Sequence, residues 1–167
     1  MLNCNITKPR LKIAPEEIRR AAQNSLYWRT LTDIQETKVN AISGNLKEWW
    51  HDKFKRDFLI NIYIRDDSSN IDGKINLTGY ALMFSQLEIV LQQCGKATYD
   101  NLVNSIIKET STTRATVKQF SEYLTCIFRY CRENGVFLTI DRDLMDLADI
   151  PYIYQDSNSI PSEYHHF

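Results

Sequence analysis

The residues that could hold a metal ion or perform acid–base chemistry are few and widely spaced. The histidines are His51, His165 and His166. No two of them have the i, i+4 spacing, with a carboxylate between, of a helical zinc site. The cysteines are Cys4, Cys94, Cys126 and Cys131, and none of them belongs to a C-x-x-C pair. Because a structural zinc ion takes ligands grouped in pairs, the sequence predicts no metal site and no cofactor.

The pattern needed for nucleophilic catalysis is also missing. A serine or cysteine nucleophile needs a base and an orienting group, and His51 is the one histidine in the body of the chain. The sequence lacks G-x-S-x-G, a glycine-rich phosphate loop and the dinucleotide fingerprint. The acidic run from 141 to 149 alternates with leucines and resembles the solvated face of a short helix, not a calcium loop. We therefore expect no catalytic residues and no enzymatic activity.

Basic side chains are the remaining candidates, because Lys and Arg on helix faces attract nucleic-acid phosphates. Lys47, His51 and Lys55 fall at i, i+4 and i+8, and therefore share one edge of a predicted helix. Lys53 and Arg56 flank that edge. Trp49 lies close to this edge, and an exposed aromatic ring can stack on unpaired bases. Acidic residues interrupt the edge, so simple solvation of a charged face is an equal alternative.

A second basic group lies on a later predicted helix. Arg114 and Lys118 are one turn apart, and Arg129 and Arg132 are also close along the chain. The full set of predicted nucleic-acid-binding residues is Lys47, Lys53, Lys55, Arg56, Arg114, Lys118, Arg129 and Arg132. Contacts from such residues would hold phosphates without reading base sequence.

The composition is that of a globular chain with an uneven charge distribution. The 167 residues suffice for one domain with its own core, and five glycines and four prolines favour helices over a turn-rich β fold. The net charge is −1, but residues 1–140 contain 19 Lys+Arg against 15 Asp+Glu, a net of +4. Residues 141–167 contain one Arg against six acids, a net of −5. This split predicts a basic body with an acidic tail, and ordinary surface scatter is the alternative.

Helical periodicity dominates the first half of the chain. A first helix is predicted from Pro15, and a second helical region from about Asp33 to Ser43. A stronger helix follows from Asn45, with aromatic residues at i, i+4 spacing. Segment Phe58–Ile64 fits either a continued helix or a buried strand, and the absence of turn residues favours the helix. The polar segment Asp66–Lys74 is predicted to be a loop.

Three amphipathic helices are predicted between Leu77 and Asn134. Their apolar stripes are Leu77, Tyr80, Phe84, Leu87, Leu91 and Cys94; then Tyr99, Leu102, Val103, Ile106 and Ile107; then Val117, Phe120, Leu124, Ile127 and Cys131. Gly95 separates the first two, Thr112 or Thr113 is the expected N-cap of the third, and Gly135 ends it. A short helix is expected over 141–149.

Together these patterns predict an all-α fold, a compact bundle of about five to six helices. The expected organisation is an extended lead-in over 1–14, a helical bundle over 15–140, and a short helix with an acidic tail over 141–167. The first residues contain no signal region, and no apolar run reaches the ~18 residues of a membrane span. Because no two cysteines form a C-x-x-C pair, we expect reduced thiols. The lack of a signal region and of a membrane span predicts no membrane association and a cytoplasmic location.

The bundle resembles the small subunits of type I CRISPR effector complexes, in particular the I-D type. There the small subunit is similar to the C-terminal helical part of the large subunit. The resemblance covers about residues 15–140 and is carried by the helices around Leu46–Phe58, Leu77–Cys94, Tyr99–Ile107 and Val117–Cys131 with their basic residues. It implies a non-catalytic antiviral-defence subunit that stabilises the Cascade complex. The implied partners are the backbone and large subunits, guide RNA and single-stranded DNA, with more than one copy per complex.

Two other functions fit the same sequence. Segments Tyr99–Glu109 and Thr113–Arg129 could form a helix-turn-helix of a DNA-binding transcriptional regulator. Alternatively, the chain could be a helical protein-interaction adaptor anchored by Trp49, Trp50 and Tyr123. The first alternative predicts preference for one duplex sequence, and the second predicts no nucleic-acid binding.

Overall fold

The computed structural model describes residues 15–37 and 46–150 of the chain. The elements are α1 (Glu16–Glu36), α2 (Lys47–Phe54), a π-helical turn (Lys55–Leu59), α3 (Ile60–Asp66), β1 (Ser68–Ile71), β2 (Lys74–Leu77), α4 (Gly79–Cys94), α5 (Lys96–Glu109), a 3₁₀ turn (Thr112–Arg114), α6 (Val117–Glu133) and α7 (Arg142–Ala148). The predicted lead-in, segment 38–45 and the tail over 151–167 lie outside the described residues. The described residues form a helical bundle, which confirms the predicted all-α class.

Helix α1 is longer than predicted at its C-terminal end. It begins at Glu16, with Pro15 in extended conformation before it, and two glutamates lie in its first turn. It continues without a break to Glu36, so Asp33 and Ile34 belong to α1 and not to a second helix. No glycine or proline interrupts the segment, and Leu31 and Ile34 remain buried near its end.

The segment from Lys47 to Asp66 is one continuous helical rod. The π-helical turn joins α2 directly to α3, so the helix favoured for 58–64 is confirmed. A π turn inserts extra backbone into a helix and shifts the faces that follow it. Here Phe54, Leu59, Ile60 and Tyr63 all point into the core.

The predicted loop over 66–74 contains secondary structure. Strands β1 and β2 form an antiparallel hairpin in which Ile71 pairs with Lys74. The turn between them is Asp72-Gly73, with φ of 51° and 75°. Two successive residues with positive φ form the turn that matches the twist of a two-stranded hairpin. The strand side chains are exposed or half-buried. Because neither face of the hairpin is buried, the sequence does not alternate regularly between apolar and polar residues there.

Helices α4 and α5 form a hairpin on one side of the bundle. Asp67 accepts a hydrogen bond from the Tyr80 amide at 2.6 Å, which fixes the start of α4. A Cβ on Gly79 would clash with that carboxylate, which explains the glycine there. Leu77 lies in β2, not in the helix. Contrary to the predicted stripes, Leu91, Cys94 and Leu102 are exposed. Leu91 and Cys94 lie near Gly95, and Leu102 lies at the middle of α5.

Helix α6 is the central element of the core. Its buried residues are Phe120, Tyr123, Leu124, Ile127, Phe128 and Cys131, which agrees with the predicted stripe except at Val117, which is half-buried. The N-cap is Thr116, not Thr112 or Thr113, and its side chain forms a capping box with Gln119. The two earlier threonines instead lie in the 3₁₀ turn. Gly135 follows the helix with φ of 67°, as its predicted role requires.

Buried polar side chains attach the C-terminal elements to α1. The Gln23 amide donates to the carbonyls of Val117 and Ala148, each at 3.1 Å. The buried Asp33 carboxylate accepts from the Thr139 amide at 2.7 Å and from its hydroxyl. Helix α7, predicted at the start of the acidic segment, therefore packs against α1 as part of the bundle. None of the helices within 15–37 and 46–150 is long and apolar enough to cross a bilayer.

Candidate nucleic-acid interface

The outer side of α6 carries three of the predicted basic residues. Lys118, Arg129 and Arg132 are exposed, and their spacings of about three and four helical turns place them on one side of the helix. We call these three residues the α6 basic stripe. The opposite side of α6 is buried in the core, so the stripe is held on a rigid element that presents it to solvent.

The acidic residue that interrupts this stripe is already paired. Both carboxylate oxygens of Glu122 accept from the Arg65 guanidinium, at 2.5 and 2.9 Å. Asp66, at the end of α3, accepts from Arg65 and Gln119, and these hydrogen bonds hold the pKa of Asp66 below its ordinary value. Arg65 therefore lies between Glu122 and Asp66 and offsets part of their negative charge beside the three cations of the stripe.

Arg114 does not share a helix with Lys118. It lies in the 3₁₀ turn, and Ala115 and Thr116 separate it from α6. Its guanidinium carbon lies 5.7 Å from the centre of the Tyr80 ring. The sequence spacing of one turn therefore does not produce one continuous basic face.

The predicted basic edge of α2 is also interrupted. Lys55 begins the π-helical turn and is only 2% exposed. Its ammonium group lies 3.0 Å from the Asp52 carboxylate and donates to the Lys108 carbonyl. Lys47 is half-buried. Lys55 follows α2 with α-helical backbone angles, as its i+8 spacing from Lys47 requires. Because its side chain is buried, the ammonium group is not accessible to a phosphate.

The two flanking basic residues of this helix contact neighbouring side chains. Lys53 forms an ion pair with Asp57 and lies 5.6 Å from the centre of the Tyr130 ring. Arg56 donates to the Asn104 side chain of α5 at 2.6 Å. The structure therefore brings Lys118, Arg129 and Arg132 together on one surface and places the other five predicted residues elsewhere.

A buried hydrogen-bonded chain joins α6, α1 and α2, and no pattern in the sequence indicates it. The Tyr27 hydroxyl lies 3.2 Å from the Tyr123 hydroxyl and 2.5 Å from Nδ1 of His51. Tyr27 and Tyr123 are fully buried, and burial raises the pKa of each. The residues lie far apart along the chain, so only a contact prediction could have found them. We call this the Tyr123–Tyr27–His51 chain.

Burial, followed by the charge of Lys55, lowers the pKa of His51 below its ordinary value of 6.5, against the opposing effects of Asp52 and Glu48. The unfolded chain therefore takes up this proton more readily than the folded protein. We expect the free energy of unfolding to decrease as the pH falls from about 7 to about 5. Denaturant unfolding across this range should show less pH dependence for His51→Asn, whose side-chain oxygen can still accept from Tyr27. An identical pH dependence in the variant would contradict the expectation.

The histidines and cysteines of the described residues do not form a metal site. No group of three metal-ligating side chains occurs among residues 15–37 and 46–150. In the same ranges the cysteines are free thiols, and burial raises the pKa of Cys126, and that of Cys131 to about 12. Cys94 is exposed, not buried as its place on a stripe suggested. Cys4, His165 and His166 lie outside the described residues.

Each of the two alternative functions requires a particular packing of its helices or exposure of its anchor residues. Helix α5 packs chiefly against α4, whereas a helix-turn-helix needs its first helix packed against the second. Of the proposed adaptor anchors, Trp50 and Tyr123 are buried in the core, and Trp49 is 49% exposed. Neither alternative therefore gains support from the packing.

Comparison with protein-family models, curated proteins and solved structures gives no match to this chain.

Proposed function

We propose that this chain is a non-catalytic helical subunit that contacts the backbone of single-stranded nucleic acid through the α6 basic stripe. The supporting observation is that Lys118 and Arg129 are exposed on the side of α6 that faces away from the core, while the intervening Glu122 forms an ion pair with Arg65. Arg132 adds a further exposed cation on the same side. Fixed cations on a helix face attract phosphates regardless of sequence.

The complex in which this contact would operate is the one implied by the resemblance of the helices. In this proposal the chain is a small subunit of an RNA-guided CRISPR antiviral-defence complex in the cytoplasm. It packs with backbone and large subunits, in more than one copy, and contacts target or displaced DNA. Base pairing with the guide RNA would then supply the sequence recognition, and the α6 basic stripe would contact only the backbone.

The test is binding of an unstructured, fluorescently labelled single strand to the full chain across a salt series. With about three phosphate contacts, the slope of log K against log salt should be about −2, because each contact contributes about −0.7 for single strands. The expected result is weak binding that is lost steadily as salt rises. Absence of binding at low salt, or binding that salt does not change, would contradict the proposal. Strong preference for one duplex sequence would support the regulator alternative instead.

A further inference from the structure

An exposed tryptophan lies on α1 where it faces α2, on a different helix from the α6 basic stripe. Trp28 is 44% exposed. Its indole stacks on the His51 imidazole, with ring centres 5.5 Å apart and an interplanar angle of 17°. The Tyr27 ring meets the indole edge-on at 5.4 Å. The indole is therefore oriented by two neighbouring rings and is still in contact with solvent.

The His51 ring beneath this indole is itself fixed from inside the core. The Tyr123–Tyr27–His51 chain holds Nδ1, and both tyrosines are fully buried. A rigid aromatic surface loses little conformational entropy when a flat ligand stacks on it. The arrangement provides a stacking surface that is already ordered before any ligand arrives.

One uncharged hydrogen-bonding group, the Asn24 amide, lies beside Trp28 on the same side of α1. Asn24 is exposed one helical turn before Trp28, about 6 Å along the axis. It also lines a cavity of about 260 Å³, together with Arg20, Thr112 and Phe120. The Asn24 amide forms no hydrogen bond within the described part of the chain, so its donors and acceptor are available there.

The charge in this cavity is already compensated. The Arg20 guanidinium pairs with Glu16 at 2.9 Å and donates to the Ala115 carbonyl at 3.1 Å. The cavity therefore offers the Asn24 amide and a threonine hydroxyl without a free cation, and Trp28 lies one helical turn beyond Asn24 on α1. Such groups suit a flat, uncharged ring with polar edges better than a phosphate.

We propose that Trp28 and Asn24, neighbours on adjacent turns of α1, bind one unpaired nucleobase of a single strand. The base stacks on the Trp28 indole, and the Asn24 amide bonds to its edge. Single-stranded nucleic acid is commonly held in this way, by stacking on aromatic side chains and hydrogen bonds to exposed base edges. This site goes beyond the proposed phosphate contact, because it distinguishes unpaired bases from a paired or abasic strand.

The first test uses a free nucleoside and does not depend on the α6 basic stripe. Adenosine, which carries no phosphate, is titrated into the full chain labelled with ¹⁵N at its tryptophan indoles. The Trp28 indole N–H signal should shift in a saturable way, while that of Trp49, exposed to a similar degree, should not. A Trp28 signal that stays unchanged would overturn the proposal, whether or not single strands bind elsewhere.

The second test separates stacking from phosphate contact. Affinity is measured for a short deoxyadenylate strand and for an abasic strand of equal length. Trp28→Ala should reduce affinity for the deoxyadenylate strand about tenfold and leave affinity for the abasic strand unchanged. Trp49→Ala is the matched control and should alter neither. Equal losses on both strands, or no loss on either, would overturn the nucleobase site while leaving the salt-dependent contact to be judged by its own experiment.

Discussion

Replacing Lys118 and Arg129 together by glutamate is expected to weaken binding of an unstructured single strand about twentyfold or more at roughly 0.1 M salt. Each lost phosphate contact removes about a fivefold factor at this salt concentration, since log K changes by about 0.7 per tenfold change in salt. The new carboxylates would add repulsion. The slope of log K against log salt should also become shallower by more than one. Fluorescence anisotropy with a labelled strand measures both quantities.

The control for this experiment is a second pair of charge reversals elsewhere on the surface. Lys74, in β2, and Lys96, at the start of α5, are both exposed and lie on elements away from α6. Replacing both with glutamate changes the net charge by the same amount. If the two double variants lose affinity equally, the effect reflects overall charge, and the α6 basic stripe has no special role.

Phe54→Ala is expected to lower the free energy of unfolding by about 3–5 kcal/mol, the largest effect we predict on stability. Phe54 is fully buried at the junction of α2 and the π-helical turn. Its ring centre lies 5.5 Å from that of Trp50 and 5.4 Å from that of Tyr130 on α6. Truncation therefore removes buried apolar contacts and leaves a cavity where two helices meet. Urea unfolding followed by far-UV circular dichroism measures the change.

The matched control is the same substitution at an exposed phenylalanine. Phe137, between α6 and α7, is 91% exposed. Because that ring buries little area in the folded protein, Phe137→Ala should change the free energy of unfolding by less than about 0.5 kcal/mol. Comparable losses in the two variants would mean that Phe54 does not contribute through burial.

The distribution of correct and incorrect predictions follows the range of the interactions involved. The apolar stripe of α6 could be predicted because the 3.6-residue period is a local property of the chain. The Asp72-Gly73 pair was a local signal for a hairpin that the polar composition of its strands obscured. The burial of the α4 and α5 stripes was overestimated at Leu91, Cys94 and Leu102. Amphipathic spacing does not show how far a helical hairpin extends beyond the elements that pack against it.

The sequence by itself determined the helical class, the buried face of α6 and the absence of familiar catalytic patterns. Only the tertiary structure decided which cations are available. In the folded chain Lys55 is buried against Asp52, Arg114 lies over the Tyr80 ring, and Arg65 forms an ion pair with Glu122. The tertiary structure also brought Tyr27, His51 and Tyr123 together beneath Trp28. The physical reason is that helical periodicity depends on neighbouring residues, whereas charge pairing and ring stacking depend on residues that meet only after the helices pack.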